Sequence, residues 1–355
     1  MEKREIDNLL VWYHDNARKL PWRENPDAYR VWVSEIMLQQ TRVEAVKPYY
    51  KRFLEKYPDV LALAEAKEEE LLKYWEGLGY YNRVRNMQKA AIQVRDFYEG
   101  IIPLTYEALI ELSGIGPYTA GAIASIVGKE KVPAVDGNVL RIITRLNADY
   151  SNISEAATIK AIREELLKSM PDEPGDFNQA MMELGATVCL PNGEPKCSEC
   201  PWKNACQARK KNIISELPVK NKPQKRRIEE RTLIILSGTK GIALRKRPAK
   251  GLLAGMYEIP AVEGYKTAED ILEYVKELGY HPLHIREAEH HVHIFSHIEW
   301  HMNAFILRID EITDNMKKDK RNDFFFVSPE EIKVNYPLPS AFAPYRKYIE
   351  GNGLR

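Results

Sequence analysis

Four cysteines, Cys189, Cys197, Cys200 and Cys206, fall within eighteen residues and are the chain's whole complement. Four thiolates on one short loop can wrap a single compact iron-sulfur cluster, because such centres take Cys ligands that must all lie close in space. Structural zinc is the rival. Zinc sites usually bring together two separated C-x2-C knuckles, however, and Cys197 with Cys200 is the single such pair. Disulfides are a more distant third reading. Upstream, in LSGIGPYTAGAI (112–123), Gly114-Ile115-Gly116 makes a turn before Pro117, a residue type favoured at a helix's first position. Free backbone N–H groups at such a helix start suit a phosphate, although glycines needed only for positive φ would explain the same turn. Two carboxylates complete the set. Asp136, in AVDGNVLRI (134–142), precedes a short apolar helix and reads as its N-cap or as a functional acid. Glu35 sits among Val31, Val33, Ile36 and Met37, so it lies either on a narrow polar stripe or in the interior. Burial would raise its pKa and keep it protonated near neutral pH, as a general acid requires.

The elements that must position these groups follow from periodicity. From residue 4 to about 210, apolar residues recur at threes and fours, as in IDNLLVWYHDNA and KEEELLKYWEGLGY, which predicts helices. Residues 217–230, LPVKNKPQKRRIEE, have two prolines, five basic residues and no period, and read as a linker. Beyond it, RTLIILSG, GIALRKRP, HHVHIFSHIEW and MNAFILRI are β-branched and aromatic runs, interrupted by one helix, TAEDILEYVKELGY (267–280). The expected organisation is an all-α domain over 1–216, with a helical hairpin at about 109–125 and the cysteine loop at 189–206, then the linker, then an α+β domain over 231–355. A length of 355 residues with 44% hydrophobic content suits two such cores. The amino terminus lacks an apolar signal region and no later run approaches membrane-spanning length, so a soluble, cytoplasmic protein without a membrane partner is expected. Reduced thiols fit that compartment. A net charge of +1 neither supports nor excludes nucleic acid as a partner.

Taken in order, LPWR (20–23), VWVSEIMLQQTRV (31–43), GLGYYNRVRN (77–86), LSGIGPYTAGAI, AVDGN, FNQAMMELGA (177–186) and the cysteine loop resemble the adenine DNA glycosylases of the MutY type. These are helix-hairpin-helix, iron-sulfur enzymes of base-excision repair. The resemblance covers nearly all of residues 4–210. A weaker one, carried by KGLLAGMYEIP (250–260) and FSHIEW (295–300), extends over the second domain, which is similar to a Nudix fold without the acidic metal-binding signature and is therefore expected to bind and not hydrolyse. The resemblance implies a monomeric enzyme that carries a [4Fe-4S] cluster on Cys189, Cys197, Cys200 and Cys206. It implies extrusion of adenine mispaired with 8-oxoguanine or guanine from duplex DNA, hydrolysis of its N-glycosidic bond, and an abasic site as product.

By the same resemblance Glu35 is the general acid toward adenine N7, Asp136 stabilises oxocarbenium charge, Asn138 orients Asp136 or the attacking water, and Tyr118 sits against Asp136 and the sugar. Arg23, Trp22 and Gln179 match positions that receive adenine. Gln40 matches the residue filling the vacated stack, Tyr80 the wedge beside the oxidised guanine, and Gly114 and Gly116 the phosphate-binding hairpin. Phe295, Ser296 and His297 match the turn that reads 8-oxoguanine. A phenol at residue 118 stands where strand-cleaving relatives carry a Schiff-base lysine, which implies a monofunctional enzyme. CLPNGEPKC has one residue more between its cysteines than the family's usual loop. Core packing is the plain alternative for Trp22 and Tyr80. Seven of eight histidines lie between 281 and 301, but alternating His291 and His293 on a strand are more often solvated or paired than metal-bound. Excision of thymine from T:G pairs and a non-catalytic iron-sulfur DNA sensor are the alternative functions.

Overall fold

The computed structural model describes residues 1–222, 225–310 and 323–350. They form two compact units, one of Met1–Ala66 with Asn82–Lys222, the other of Lys67–Tyr81 with the described residues from 225 onward. A piece of the helical sequence is thus structurally part of the second unit, which nothing in its own periodicity announces.

The first unit is helical. The Lys3–Asn16 helix buries Ile6, Leu9, Leu10 and Tyr13, an i, i+3, i+4, i+7 stripe. That stripe joins Leu140 and Ile143 of the Gly137–Asn147 helix and Phe177, Met181 and Leu184 of the Pro174–Thr187 helix in one core. The Ala28–Leu38 helix starts at Asp27, whose side chain accepts the Arg30 backbone N–H at 2.8 Å. Every residue from Val31 to Met37 is buried, so this helix runs through the interior with no solvated stripe. A short helix, Tyr106–Ile110, a turn through Gly114 and the Pro117–Ile126 helix make the hairpin. Asn178 is buried and fixes the loop leading to Asp136: its amide donates to the Val132 carbonyl and Ser125 Oγ, and its oxygen accepts from the Ala134 N–H at 3.0 Å.

The second unit is a mixed sheet. Its strands are β1 (Arg227–Gly238), β2 (Gly241–Lys246), β3 (Tyr257–Glu258), β4 (Ala261–Glu263), β5 (Pro282–Ile294), β6 (Ile298–Ile309) and β7 (Phe325–Val327). The order is β3-β2-β1-β6-β5, with β4 beside β1 and β7 beside β2. β1 and β6 run parallel and the other pairs antiparallel. Alternation along β6 sends Trp300, Met302 and Ile306 to one face and Phe305, Leu307 and Ile309 to the other. The first face is covered by Leu338, Phe342, Tyr345 and Ile349, the second by Ile271 and Val275 of the Ala268–Glu277 helix.

Two expectations meet a different structure. β1 starts at Arg227, inside the stretch read as linker, because Arg227 to Glu230 continue the parallel ladder with Ile298 to His301. Further helical turns, Pro329–Asn335, Ser340–Tyr345 and Arg346–Ile349, stand beside the single helix expected in this unit. They are short and interrupted by prolines, so they lack a readable period. Among the described residues no helix is long and apolar enough to cross a membrane.

Candidate active site and cysteine loop

A cleft of about 950 Å3 in the first unit brings Glu35, Tyr118, Asp136 and Asn138 together with Trp22, Arg23, Gln40 and Gln179. Glu35 is 6% exposed, which decides between the two readings of its helix. The Tyr118 hydroxyl donates to Glu35 Oε2 at 2.5 Å and also lies 3.5 Å from Met182 Sδ. Burial pushes the Glu35 pKa up to about 7, against the lowering pull of that hydrogen bond. Burial, and then the charges of Glu35 and Asp136, hold the Tyr118 phenol far above its ordinary range. The phenol therefore stays a donor to Glu35. Tyr118 shares the cleft with Asp136, and its hydroxyl bonds to Glu35.

Asp136 is the N-cap its sequence allowed, and it also lines the cleft. As the N-cap of the Gly137–Asn147 helix its Oδ1 accepts from the N–H groups of Asn138 (2.9 Å) and Val139 (2.8 Å). Its Oδ2 accepts from the Asn138 side-chain amide at 2.7 Å. Burial raises the Asp136 pKa, opposed by the hydrogen bonds from Val139 and Asn138 and by the Arg141 charge. Asn138 is held in turn: its Oδ1 accepts from Arg141 Nη2 at 2.9 Å, and a Cβ on Gly185 would come within 2.5 Å of the Asn138 Cβ. The same Arg141 guanidinium donates to the carbonyls of Gly185 and Cys189, both at 2.9 Å. One side chain thus ties the carboxylate's support to the first residue of the cysteine loop.

That loop ends the helical unit. The four cysteines are free of disulfides and partly exposed, and all four line one small cavity with Arg145, Lys203 and Arg209. Arg145 Nη1 lies 3.4 Å from Cys189 Sγ, and the Cys206 thiol points at the Arg145 carbonyl at 3.4 Å. Among the described residues no three His, Cys, Asp or Glu side chains converge as the ligands of a single ion. Four thiols around one cavity with three cationic side chains fit the donor set of an anionic Cys-ligated cluster.

Two arginines and a glutamate line one wall of the cleft. Glu183, fully buried, accepts from Arg18 Nε at 2.5 Å and pairs with Arg23 Nη2 at 2.9 Å. Burial alone would raise its pKa, but the Arg18 hydrogen bond and both guanidinium charges outweigh it and leave the carboxyl lowered. Glu183, Arg18 and Arg141 were not singled out in the sequence; an acid and an amide, Glu183 and Asn178, at helical spacing with Phe177, Met181 and Leu184 were the available signal. Trp22 is buried, edge-on to Tyr50 at 5.3 Å, and still contributes to the cleft wall. Gln40 is exposed with a left-handed φ of 56°. The turn carrying it is held by Arg83, whose Nη1 donates to the carbonyls of Ile36 and Gln39, both at 2.6 Å. In the hairpin, Gly114 has φ 75° and a Cβ there would sit 2.5 Å from the Asn86 Cβ, whereas Gly116 is extended and its Cβ would meet open space. The fold therefore demands Gly114 and leaves Gly116 free for close approach of a ligand.

The remaining predicted residues lie in the second unit. Phe295, Ser296 and His297 form the turn between β5 and β6, closed by Phe295 N–H to Ile298 carbonyl at 2.8 Å. Phe295 packs edge-on against Trp300 at 4.9 Å, while Ser296 and His297 are exposed. Tyr80 is half exposed, with φ 48°, and its hydroxyl lies 3.2 Å from Ser296 Oγ. His290 pairs with the Tyr265 hydroxyl at 2.8 Å, in keeping with paired histidines.

Residues 33–170 match the HhH-GPD superfamily of base excision DNA repair proteins, and residues 231–348 match the NUDIX domain. The chain is 33% identical, over 96% of its length and 97% of the relative's, to the adenine DNA glycosylase of Buchnera aphidicola subsp. Acyrthosiphon pisum. It is 36% identical to the human adenine DNA glycosylase, over 85% of this chain and 66% of that one. Among solved structures, a thermostable thymine-DNA glycosylase is similar with a TM-score of 0.54 and 28% identity, over 59% of this chain and 98% of that one. A trapped endonuclease III-DNA covalent intermediate shares the fold at a TM-score of 0.51 and 24% identity, over 60% of this chain and all of that one.

Proposed function

The chain belongs to the adenine DNA glycosylases of the HhH-GPD superfamily, and from that premise we propose that its substrate is adenine opposite 8-oxoguanine or guanine. The observation that carries the chemistry is Glu35, a carboxyl buried in the cleft, holding its proton up to about pH 7 and facing the same space as Asp136. Glu35 gives its proton to N7 of the extruded adenine, which weakens the bond from N9 to the sugar carbon and makes neutral adenine the leaving group. The sugar is left as an oxocarbenium ion. Asp136, fixed by Asn138 and the helix N–H groups, supplies the negative charge that stabilises it. Water adds to the sugar carbon and gives up a proton, which returns Glu35 to its protonated form, so the product is an abasic site with an intact strand. The Tyr118 phenol has no amine to form a Schiff base. Arg23 and Gln179 provide hydrogen-bonding groups for the edge of the base, and Glu183 holds Arg18 and Arg23 in place.

In the second unit, Ser296 and His297 read the opposite base. A single-turnover assay on A:8-oxoguanine, A:G and T:G duplexes tests the whole reading. Adenine release from the first two, with strand breaks appearing only after alkali, is the expected result; faster release of thymine from T:G than of adenine would refute it. In the same assay Ser296→Ala with His297→Ala should narrow the preference for 8-oxoguanine over guanine, each lost lesion contact being worth about 1 to 3 kcal/mol. Unchanged selectivity would refute lesion reading by this turn.

The cysteine loop holds a [4Fe-4S] cluster in this reading, with Cys189, Cys197, Cys200 and Cys206 as ligands. The cluster supplies a rigid, compact closure for the loop. Arg145, Lys203 and Arg209 offset the charge of its thiolates. Protein purified anaerobically should carry about four irons per chain, with broad absorption in the visible. Stoichiometric zinc without iron would overturn the assignment.

A further inference from the structure

The 67–81 segment precedes the helical hairpin in sequence yet belongs to the second unit, and its bonds there are specific. Glu76, on the turn following the Glu68–Tyr74 helix, pairs with Arg346 near the far end of the described chain. Lys73 pairs with Glu76 at 2.8 Å and donates to the carbonyls of Ile332 and Tyr336, both at 3.3 Å. Glu69 meets Lys246 at 2.6 Å and the Tyr257 hydroxyl at 3.3 Å. The Glu69 pair is exposed and weak. The Glu76 side chain is only 10% exposed, so its pairing with Lys73 and Arg346 is the stronger anchor.

Beyond Glu76 the chain turns through three left-handed residues, Gly77 (φ 100°), Gly79 (φ 71°) and Tyr80 (φ 48°). A tyrosine rarely adopts that conformation and persists in it only where its surroundings impose it. Two contacts do so here: the buried Trp75 indole donates to the Gly79 carbonyl at 3.1 Å, and the Tyr80 hydroxyl meets Ser296 Oγ at 3.2 Å. Wedge and reading turn therefore share one frame, and the Lys73-Glu76-Arg346 anchor lies at the root of the segment that presents the wedge.

We propose that Lys73, Glu76 and Arg346 are positioning residues for lesion selectivity: they dock the 67–81 segment so that Tyr80 and Ser296 meet the oxidised guanine and its neighbour as a preassembled pair. The inference rests on the reading of Ser296 and His297 given above. Rigid pairing spares the protein from ordering two separate elements on DNA, and a loosened anchor should be felt as lost discrimination before lost chemistry.

The test compares Arg346→Gln, Glu76→Gln and the neutral pair carrying both changes with the parent protein. Single-turnover rates and dissociation constants are measured on A:8-oxoguanine and A:G duplexes, alongside amide hydrogen exchange of residues 75–81. Each single variant should lose on the order of five-fold in selectivity, exchange faster at 79–81, and keep its rate on A:G. Arg346→Lys should restore most of the selectivity, and the neutral pair, in which the Lys73 and Glu350 charges that remain are of opposite sign, should fold even if a single variant does not. Equal losses on both duplexes would mark the anchor as merely structural and overturn the proposal. So would parental selectivity in the neutral pair. The Ser296→Ala, His297→Ala protein, run in parallel, separates the two claims: if it loses selectivity while the anchor variants keep it, positioning is wrong and reading stands. If it too keeps selectivity, the reading fails and the positioning role fails with it.

Discussion

Replacing Glu35 with Gln should cut single-turnover adenine release by about 10² to 10⁴ while leaving mispair binding intact. Gln is the same size and can accept the Tyr118 hydrogen bond, so cleft and base are held as before, but no proton is available for the leaving group. The parent's pH profile carries the same information. Competence needs Glu35 protonated and Asp136 ionised, so the rate should fall about tenfold per unit above the Glu35 pKa, near 7, and fall again at low pH where Asp136, its pKa raised by burial, takes up a proton. Stability runs in the same direction. A carboxyl whose pKa rises from 4.5 to about 7 on folding favours the fold below 4.5 and loses that contribution as pH climbs through 7, on the order of 3 kcal/mol. The Gln variant never ionises, so above pH 7 it should melt at or above the temperature of the parent. A rate within threefold of the parent, or a profile without the alkaline limb, would remove Glu35 from the general-acid role.

The second large effect is expected at Asp136. Asn is as good an N-cap as Asp, so Asp136→Asn keeps the helix start, accepts from the Asn138 and Val139 N–H groups with its remaining oxygen, and should fold. What disappears is the negative charge facing the sugar, together with the oxygen that accepts from the Asn138 side-chain amide. Loss of one preorganised electrostatic partner of a transition state costs about 10² to 10³ in rate, and the loss should fall on the chemical step with the dissociation constant little changed. Asp136→Ala removes cap and charge together and should lower the melting temperature as well. Comparing the two separates the structural from the chemical share of one side chain; an active Asn variant would leave only the structural share.

Much of the site was legible because chemistry constrains residue type. An acid in an apolar helix, an acid before a helix and four clustered cysteines are visible without a structure. Whether Glu35 was solvated or interior was not legible, since Val31, Val33, Ile36 and Met37 suit either case; burial on every side of Val31 to Met37 comes from tertiary packing. Arg141 and Glu183 escaped notice for a related reason. A charged residue within a helix is ordinarily solvent-facing, and their roles arise from partners far away in sequence, Cys189 for one and Arg18 and Arg23 for the other. The start of β1 was hidden similarly: RIEE has no apolar alternation, and its ladder partner begins at Ile298.

The two-part make-up of the second unit also bears on how the protein is built during synthesis. Tyr81 ends the early piece and Arg227 opens β1, so 227 − 81 = 146 positions separate them. At the usual pace of translation, about 5 to 20 residues per second, the early piece emerges roughly 7 to 30 s before the first strand of the unit it joins. Residues 1–66 and 82–222 complete their own core in that interval, with 67–81 left as an excursion whose partners do not yet exist. Glu69, Lys73 and Glu76 then lack the Lys246, Ile332, Tyr336 and Arg346 groups they meet in the finished protein. A shortened chain that stops at the end of the helical unit would keep this piece without Lys246, Ile332, Tyr336 and Arg346, so the amides of 67–81 should exchange faster in such a fragment than in the full chain.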